Sequence, residues 1–225
     1  MQQKGGFMKK IFNVAQTNPL FAGVEFSDFQ PMLCCLSVKV ADYKKNDIIL
    51  LSGDSAKFVG LILSGGVKII KEDMDGRATV LTALEVSNVF GEEFACAEIE
   101  HSPVTIIATE DSEIMLMDYK SMIKSCSNAC LYHARLIKNM MKLLAVKTLQ
   151  TSQKMEILSK RTTREKLLSF LDVHRGANKK ITIPYNREEL ANYLCVDRSA
   201  MSKELSKMQE EGLITYKKNT FEILR

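Results

Sequence analysis

The chain has 225 residues, of which 46% are hydrophobic and 26% charged, and its formal net charge is +4. This is an ordinary globular composition, long enough for two small domains. No apolar run approaches the roughly 18–20 residues of a membrane helix. The start, MQQKGGFMKKIFNV, lacks the long apolar core and cleavage site of a signal peptide, so we expect a loose terminus and a cytoplasmic protein with reduced cysteines.

The charge is divided unevenly along the chain. Residues 1–119 contain 10 basic and 17 acidic side chains, a net charge of −7, whereas residues 120–225 contain 21 and 10, a net charge of +11. A basic half favours a polyanionic partner over an ordinary solvated surface.

Short strands are predicted between residues 38 and 117. Seven runs rich in Val, Ile and Leu are bounded by turn residues: SVKVADY, DIILLS, FVGLILSG, GVKIIKE, ATVLTAL, VTIIAT and EIMLMD. Their close spacing predicts an antiparallel sandwich or barrel, with a tight hairpin at Gly65-Gly66. A short helix is expected before them, over Ser27–Leu36, capped by Ser27 or Asp28.

One long helix is predicted from residue 120 to 160, because no glycine or proline occurs between Lys120 and Arg175. Apolar and small residues recur there at alternating spacings of four and three, the pattern of a heptad seam. The seam includes Ile137, Met141, Leu144, Thr148, Thr151 and Met155. We expect it to form a dimer interface, and the alternative is an ordinary helix packed on its own domain.

The C-terminal segment has the order of a winged helix-turn-helix. Helices are predicted from Thr162 or Thr163 to Gly176, from the cap Asn186 to Leu194, and from the cap Asp197 to Gly212, followed by a hairpin with Lys217–Thr220 at its tip. A turn at Cys195 joins the last two helices. The residues expected to bury the angle between those two helices are Leu190, Leu194, Met201, Leu205 and Met208.

The opposite face of the last helix carries the candidate DNA-reading residues. Arg198, Ser199, Ser202 and Lys203 are expected to reach base edges, since Arg and Lys suit guanine acceptors and Ser pairs with several groups. Phosphate contacts are expected from Asn186, Ser206, Lys207, Lys217 and Lys218.

The stretch REELANYLCVDRSAMSKELSKMQEEGLI resembles the DNA-binding region of the Crp/Fnr family of bacterial transcription regulators. The run SGGVKI, and the run VFGE at 89–92, resemble parts of the family's sensor domain. The resemblance covers residues 15–225. It implies an α+β protein with a jelly-roll-like antiparallel β-roll for effector sensing (1–119), a long dimerisation helix (120–160) and a winged helix-turn-helix (161–225). Ser199 stands where the family often has Glu, and Cys195 stands at a turn position often filled by Gly.

The resemblance also implies a cyclic-nucleotide pocket, which the residues of this chain do not complete. Nucleotide-binding members follow Gly-Glu, here Gly91 and Glu92, with an Arg-Ser pair, but the matching positions are Ser102 and Pro103. No Arg or Lys lies between Arg77 and Lys120. Because a buried phosphate without a cationic partner is costly, we expect the effector not to be cAMP and leave its identity open.

Redox, metal and haem sensing are weaker alternatives. Cys126 and Cys130 are four residues apart and suit a redox pair or metal ligation, but such a pair is more often core filling. The cysteines lack the spacing of an iron–sulfur site, and haem ligation by His101, His133 or Cys96 has no supporting motif.

Competing functions are an enzyme and a regulatory module that binds another protein. No nucleophile elbow, phosphate loop or metal-binding histidine motif is present, so an enzyme is not expected. A protein-binding module would not need a basic winged helix. The expected partners are therefore double-stranded DNA, a second copy of the chain and RNA polymerase, with no membrane.

Overall fold

The structure is a computed structural model and describes residues 2–73, 75–124, 131–175 and 180–224. Its contacts group the chain into two compact units, residues 1–144 and 145–225. The helices of the first unit are α1 (Gln2–Ala15), a 3-10 turn (Pro19–Phe21), α2 (Phe26–Cys35), α3 (Glu92–Cys96), α4 (Tyr119–Ile123) and the first part of α5 (Leu131–Ser159). Its strands are β1 (Lys39–Tyr43), β2 (Ile48–Leu50), β3 (Phe58–Ser64), β4 (Gly66–Glu72), β5 (Ala78–Glu85), β6 (Val89–Phe90), β7 (Thr105–Ala108) and β8 (Ser112–Asp118).

The eight strands form two four-stranded antiparallel sheets. Their orders are β1-β8-β3-β6 and β2-β7-β4-β5. Inward side chains from both sheets make one apolar core, which includes Ile62, Val67, Phe90, Ile106 and Ile114. The predicted antiparallel β-roll is thereby confirmed, with β6 as a short strand additional to the seven predicted.

The first of these sheets is buried on both faces. Alternate residues of β3 and β8 point away from the roll, and Leu61 and Met115 there pack against Phe29 of α2 and Leu136 of α5 in a second apolar core. This two-sided burial explains why the first six residues of β3, FVGLIL, contain no polar side chain instead of alternating.

The predicted hairpin at Gly65-Gly66 is wrong. β3 and β4 follow each other directly, but they belong to different sheets, so Gly65 marks a crossing between sheets. Gly65 has φ +79°, and a side-chain carbon there would lie 2.3 Å from Oγ of Ser112. The glycine is therefore required by a sharp change of direction against β8, which is a long-range contact that turn chemistry does not reveal.

The N-terminal segment also differs from the prediction. The expected loose terminus is helix α1, whose Ile11 is buried in the core shared with α2. Helix α2 begins at Phe26 with Glu25 as the N-terminal cap, and Glu25 makes no side-chain capping hydrogen bond. The predicted caps Ser27 and Asp28 therefore lie inside the first turn of the helix.

The single helix predicted from residue 120 is also wrong. α4 ends at Ile123, where Lys124 adopts extended backbone angles, and α5 begins at Leu131 and runs for 29 residues. Such a helix is about 44 Å long. The segment 125–130 lies outside the described residues, and so do the Cys126–Cys130 pair and the helix stop at Gly176.

The second unit contains the end of α5 and a small helical domain. Its further elements are α6 (Thr163–Val173), β9 (Lys180–Thr182), α7 (Arg187–Leu194), α8 (Arg198–Glu210), β10 (Ile214–Lys217) and β11 (Thr220–Ile223). The strands pair in the order β10-β11-β9. α6 begins with a capping box of Thr162 and Glu165, which confirms the cap predicted at Thr162.

Candidate nucleic-acid interface

The turn between α7 and α8 is fixed by local capping interactions. Asn186 Oδ1 accepts hydrogen bonds from the backbone N–H groups of Glu188 and Glu189, both at 2.9 Å. The Glu189 carboxylate accepts in return from the Asn186 N–H at 2.7 Å, which completes a capping box at the predicted cap. α8 starts at the predicted cap, where Asp197 accepts from the Ala200 N–H at 2.8 Å.

Cys195 occupies the strained position of this turn. It ends α7 in the left-handed conformation, with φ 51° and ψ 54°. This positive φ explains why the family often has glycine at the position, since a glycine adopts it without steric cost. The Cys195 side chain is exposed.

The apolar sides of α7 and α8 face each other as predicted. The five residues expected to bury the angle between the helices are each at most 1% exposed: Leu190, Leu194, Met201, Leu205 and Met208. Because these positions fix the rotation of α8 about its axis, the polar residues between them face solvent.

The exposed face of α8 carries every base-reading candidate. Arg198, Ser199, Ser202 and Lys203 are exposed, and Ser206 and Lys207 continue the face toward the C-terminal end of the helix. Ser199 donates to Asp197 at 2.6 Å, and Ser202 donates to the Arg198 carbonyl at 2.9 Å. The hydrogen bond from Ser199, with that of the Ala200 N–H, lowers the pKa of Asp197. The oxygen of each serine can still accept a hydrogen bond, and the side chains of Arg198 and Lys203 provide donors.

The hairpin of β10 and β11 places two lysines at its tip. Lys217 pairs with Thr220, so the connecting turn contains only Lys218 and Asn219 and is tighter than the four-residue tip predicted. Lys217 and Lys218 are exposed. This geometry is the wing of a winged helix-turn-helix.

Arg187, the first residue of α7, packs against both strands of the wing. Its guanidinium carbon lies 4.7 Å from the ring centre of Tyr216 and 5.0 Å from that of Phe221. It also donates to the Lys218 carbonyl at 3.0 Å. Desolvation lowers the pKa of Arg187. Sequence reasoning missed this contact, because it joins residues 31 positions apart.

The predicted effector residues lie at the start of a helix and in a loop of the N-terminal β-roll. Gly91 caps α3 with φ +79°, and Glu92 begins that helix fully buried. Ser102 is buried, and its hydroxyl donates to the Val104 carbonyl within its own loop at 2.8 Å. Pro103 is exposed. The Ser102 hydroxyl thus closes a local turn, and no cationic side chain accompanies it between Arg77 and Lys120 in the sequence.

The cysteines and histidines do not assemble a metal site in the described part of the chain. No group of three or more His, Cys, Asp or Glu side chains there is placed to hold an ion. His101 and His133 each bond a backbone carbonyl, of Gly53 at 2.8 Å and of Ser121 at 3.2 Å. These contacts are those of packing and loop residues.

The predicted heptad seam lies along the side of α5 that is more exposed to solvent. Met141 and Met155 are 68% and 66% exposed, and Thr148 and Thr151 are exposed between them. Ile137 and Leu144 are half-buried. By contrast, Leu136 and Met140 on the neighbouring face are buried against the β-roll. The packing of α5 within the chain therefore leaves most of the heptad positions accessible.

Comparison with known proteins agrees with this architecture. Residues 40–128 match the model of the cyclic nucleotide-binding domain, and residues 165–225 match that of the Crp-like helix-turn-helix domain. Over 213 residues the chain is 24% identical to the cyclic AMP receptor protein of Thermus thermophilus, with 92% of each chain covered. It is 22% identical over 179 residues to the transcriptional activator protein FnrA of Stutzerimonas stutzeri, covering 76% of this chain and 70% of that protein.

Solved structures show the same fold. The crystal structure of the Thermus thermophilus catabolite activator protein superposes with a TM-score of 0.55 at 22% identity, over 92% of this chain and 93% of that one. A domain of the cyclic nucleotide-binding type followed by a Crp-like helix-turn-helix defines a class of transcription regulators. The chain belongs to the Crp/Fnr family of transcription regulators. Across the helices of residues 2–73, 75–124, 131–175 and 180–224, none is long and apolar enough to cross a membrane.

Proposed function

We propose that the protein is a homodimeric transcription regulator that reads a palindromic DNA site with α8 and acts in the cytoplasm. The observation that carries the proposal is the division of α8 into two faces. Met201, Leu205 and Met208 are buried, whereas Arg198 and Lys203 are exposed beside serines that are short enough to approach base edges.

The charge of the C-terminal half supports a DNA partner. Residues 120–225, which include the recognition helix and the wing, carry a net charge of +11. Base readout is assigned to Arg198, Ser199, Ser202 and Lys203. Phosphate contacts are assigned to Asn186, Ser206, Lys207, Lys217 and Lys218, because lysines at helix ends and wing tips reach the backbone without reading sequence.

A second copy of the chain is the proposed partner of α5. The exposed heptad positions would bury Met141 and Met155 on association, and apolar burial stabilises by roughly 25 cal/mol per Å². A two-fold dimer places its two recognition helices about one turn of DNA apart, which matches a palindrome. RNA polymerase is the expected further partner of such a regulator at a promoter.

The proposed effector is not cAMP. The relative from Thermus thermophilus is named a cyclic AMP receptor protein, but in this chain Ser102 and Pro103 stand at the positions of the phosphate-binding pair. A phosphate bound beside a buried Glu92 without a cationic side chain would be strongly disfavoured. Effector binding is proposed to shift the DNA-binding domain through a hinge at Leu158–Thr163.

The experiment is selection of bound fragments from genomic DNA by the full-length protein, followed by footprinting of the recovered site. The expected result is a protected palindrome with half-sites one helical turn apart. Lys203→Ala should lose the selected sequence preference, whereas the matched control Lys39→Ala, an exposed lysine on β1, should keep it. Failure to retain any duplex at low salt would contradict DNA binding and favour a regulatory module for another protein.

A further inference from the structure

The first unit contains an apolar cavity that is separate from the residues of the predicted nucleotide pocket. Its volume is about 180 Å³, and it lies between the end of α3, helix α4 and the first half of α5. Buried Met122, Leu136 and Met140 form its floor and walls. An engineered cavity of about 150 Å³ in another protein holds benzene, so this volume accommodates a small molecule of one or two rings.

The chemistry of the wall restricts what can bind. None of the lining residues that the structure describes is charged. The polar side chains among the described lining residues are Cys96 and Tyr119, and burial raises the pKa of both groups. An ionic ligand would lose its hydration without gaining a counter-charge, whereas an apolar ligand replaces empty space with dispersion contacts.

The mouth of the cavity coincides with the predicted dimer seam. Ile137, Met141 and Leu144 line the cavity and are also heptad positions of α5. A molecule that contacts these side chains changes the packing surface offered to a second copy. Occupancy of the cavity is therefore coupled to the position of α5 by direct contact.

We propose that this cavity binds the effector, and that the effector is a small, uncharged, mostly apolar molecule with at most one hydrogen-bonding group. The site deepens the proposed function, since it supplies a ligand class for a sensor domain that lacks a phosphate partner. The thiol of Cys96 and the phenol of Tyr119, which line the cavity, are the groups available for that hydrogen bond.

The test uses two uncharged probes with the full-length protein. The two-ring probe 1-naphthylamine, uncharged at neutral pH, should shift its fluorescence to shorter wavelength and saturate at one probe per chain, and toluene should raise the melting temperature and compete with it. Cys96→Leu, which adds volume at the wall, should weaken binding about tenfold. Leu136→Ala, which enlarges the cavity, should strengthen binding of the larger probe. Met155→Leu lies outside the cavity and serves as the control.

The seam variant Thr151→Lys/Met155→Lys distinguishes binding in the cavity from dimerisation. It disrupts the proposed dimer interface without changing the cavity, because neither residue lines the cavity. Probe binding by the wild-type dimer, with a shifted dimerisation constant, supports the inference. Binding only by the monomeric variant would show that the partner's side chains occupy the cavity, and would overturn it. Uptake of neither probe by a folded wild-type dimer would overturn it as well. A wild-type monomer that binds the probes would instead contradict the proposed dimer alone.

Discussion

Arg164 forms a bidentate ion pair with Glu211. Nη1 and Nη2 of Arg164 donate to the two carboxylate oxygens at 2.7 and 3.0 Å, and its Nε donates to Glu204. The Arg164 guanidinium, at the start of α6, therefore binds both Glu204 within α8 and Glu211, the residue that follows α8. Because a bidentate pair fixes direction as well as distance, Arg164 constrains the direction of α8 relative to α6.

Arg164→Gln is expected to lower the melting temperature at neutral pH, because it leaves two carboxylates without their shared partner. The hydrogen bond from Arg164 holds the pKa of Glu211 below its usual value of 4.5. A carboxylate whose pKa is lower in the folded state than in the unfolded state stabilises the folded protein at pH values above its unfolded-state pKa. This stabilisation is lost as the pH falls through the folded-state pKa. The difference between wild type and variant should therefore shrink below about pH 4.

The matched control is Lys160→Gln, which removes an exposed ion pair with Glu156 whose atoms are 3.6 Å apart. Thermal unfolding followed by circular dichroism should show little change for that variant at either pH. An equal loss for both substitutions would contradict the special role of Arg164.

Cys195→Gly is expected to stabilise the protein by about 1 kcal/mol, because glycine adopts the left-handed conformation without steric cost. Cys195→Ala retains a Cβ and should give no comparable gain. Urea unfolding of the three proteins measures the difference. A gain for alanine equal to that for glycine would show that loss of the thiol, and not relief of the backbone, stabilises the turn.

Arg187→Gln is expected to weaken binding to every duplex, because the wing loses its support from the Lys218 carbonyl and from stacking on Tyr216 and Phe221. The dependence of log affinity on log salt should become less steep if Lys217 and Lys218 lose the phosphate contacts proposed for them. Fluorescence anisotropy at several salt concentrations measures both. An unchanged salt slope with weaker binding would mean that the wing keeps its position without Arg187.

Met141→Lys/Met155→Lys is expected to give monomers by analytical ultracentrifugation, since the charges would be buried in the seam. Val146→Lys is the control, because Val146 is also exposed but lies on the opposite side of α5. A dimer that survives the methionine substitutions would show that the seam is not the interface.

Local chemistry made much of the C-terminal domain predictable. The capping residues Asn186 and Asp197 lie within three positions of the groups they bind, and the periodicity of Met201, Leu205 and Met208 identifies the buried face of α8. The interactions that sequence reasoning missed are long-range. Arg164 reaches residues 40 and 47 positions away, and nothing in the spacing of these charges distinguishes them from solvated ones.

The errors in the N-terminal half have the same origin. Helix α1 contains Gly5 and Gly6, which disfavour an isolated helix, and its helical state is supported by the packing of Ile11 against distant residues. The pairing of β3 with β8, and not with β4, likewise depends on the closure of the whole roll. The apolar cavity joins three segments of the chain, so no single motif marks it.

The most direct test of base reading by α8 compares Lys203→Ala with Lys207→Ala on the selected palindrome and on unrelated DNA. Lys203→Ala should cost roughly 1–3 kcal/mol on the palindrome and much less on unrelated DNA, whereas Lys207→Ala should weaken both about equally and reduce the salt slope by about one. Equal losses on both DNAs for Lys203→Ala would contradict the assignment of α8 as the base-reading helix.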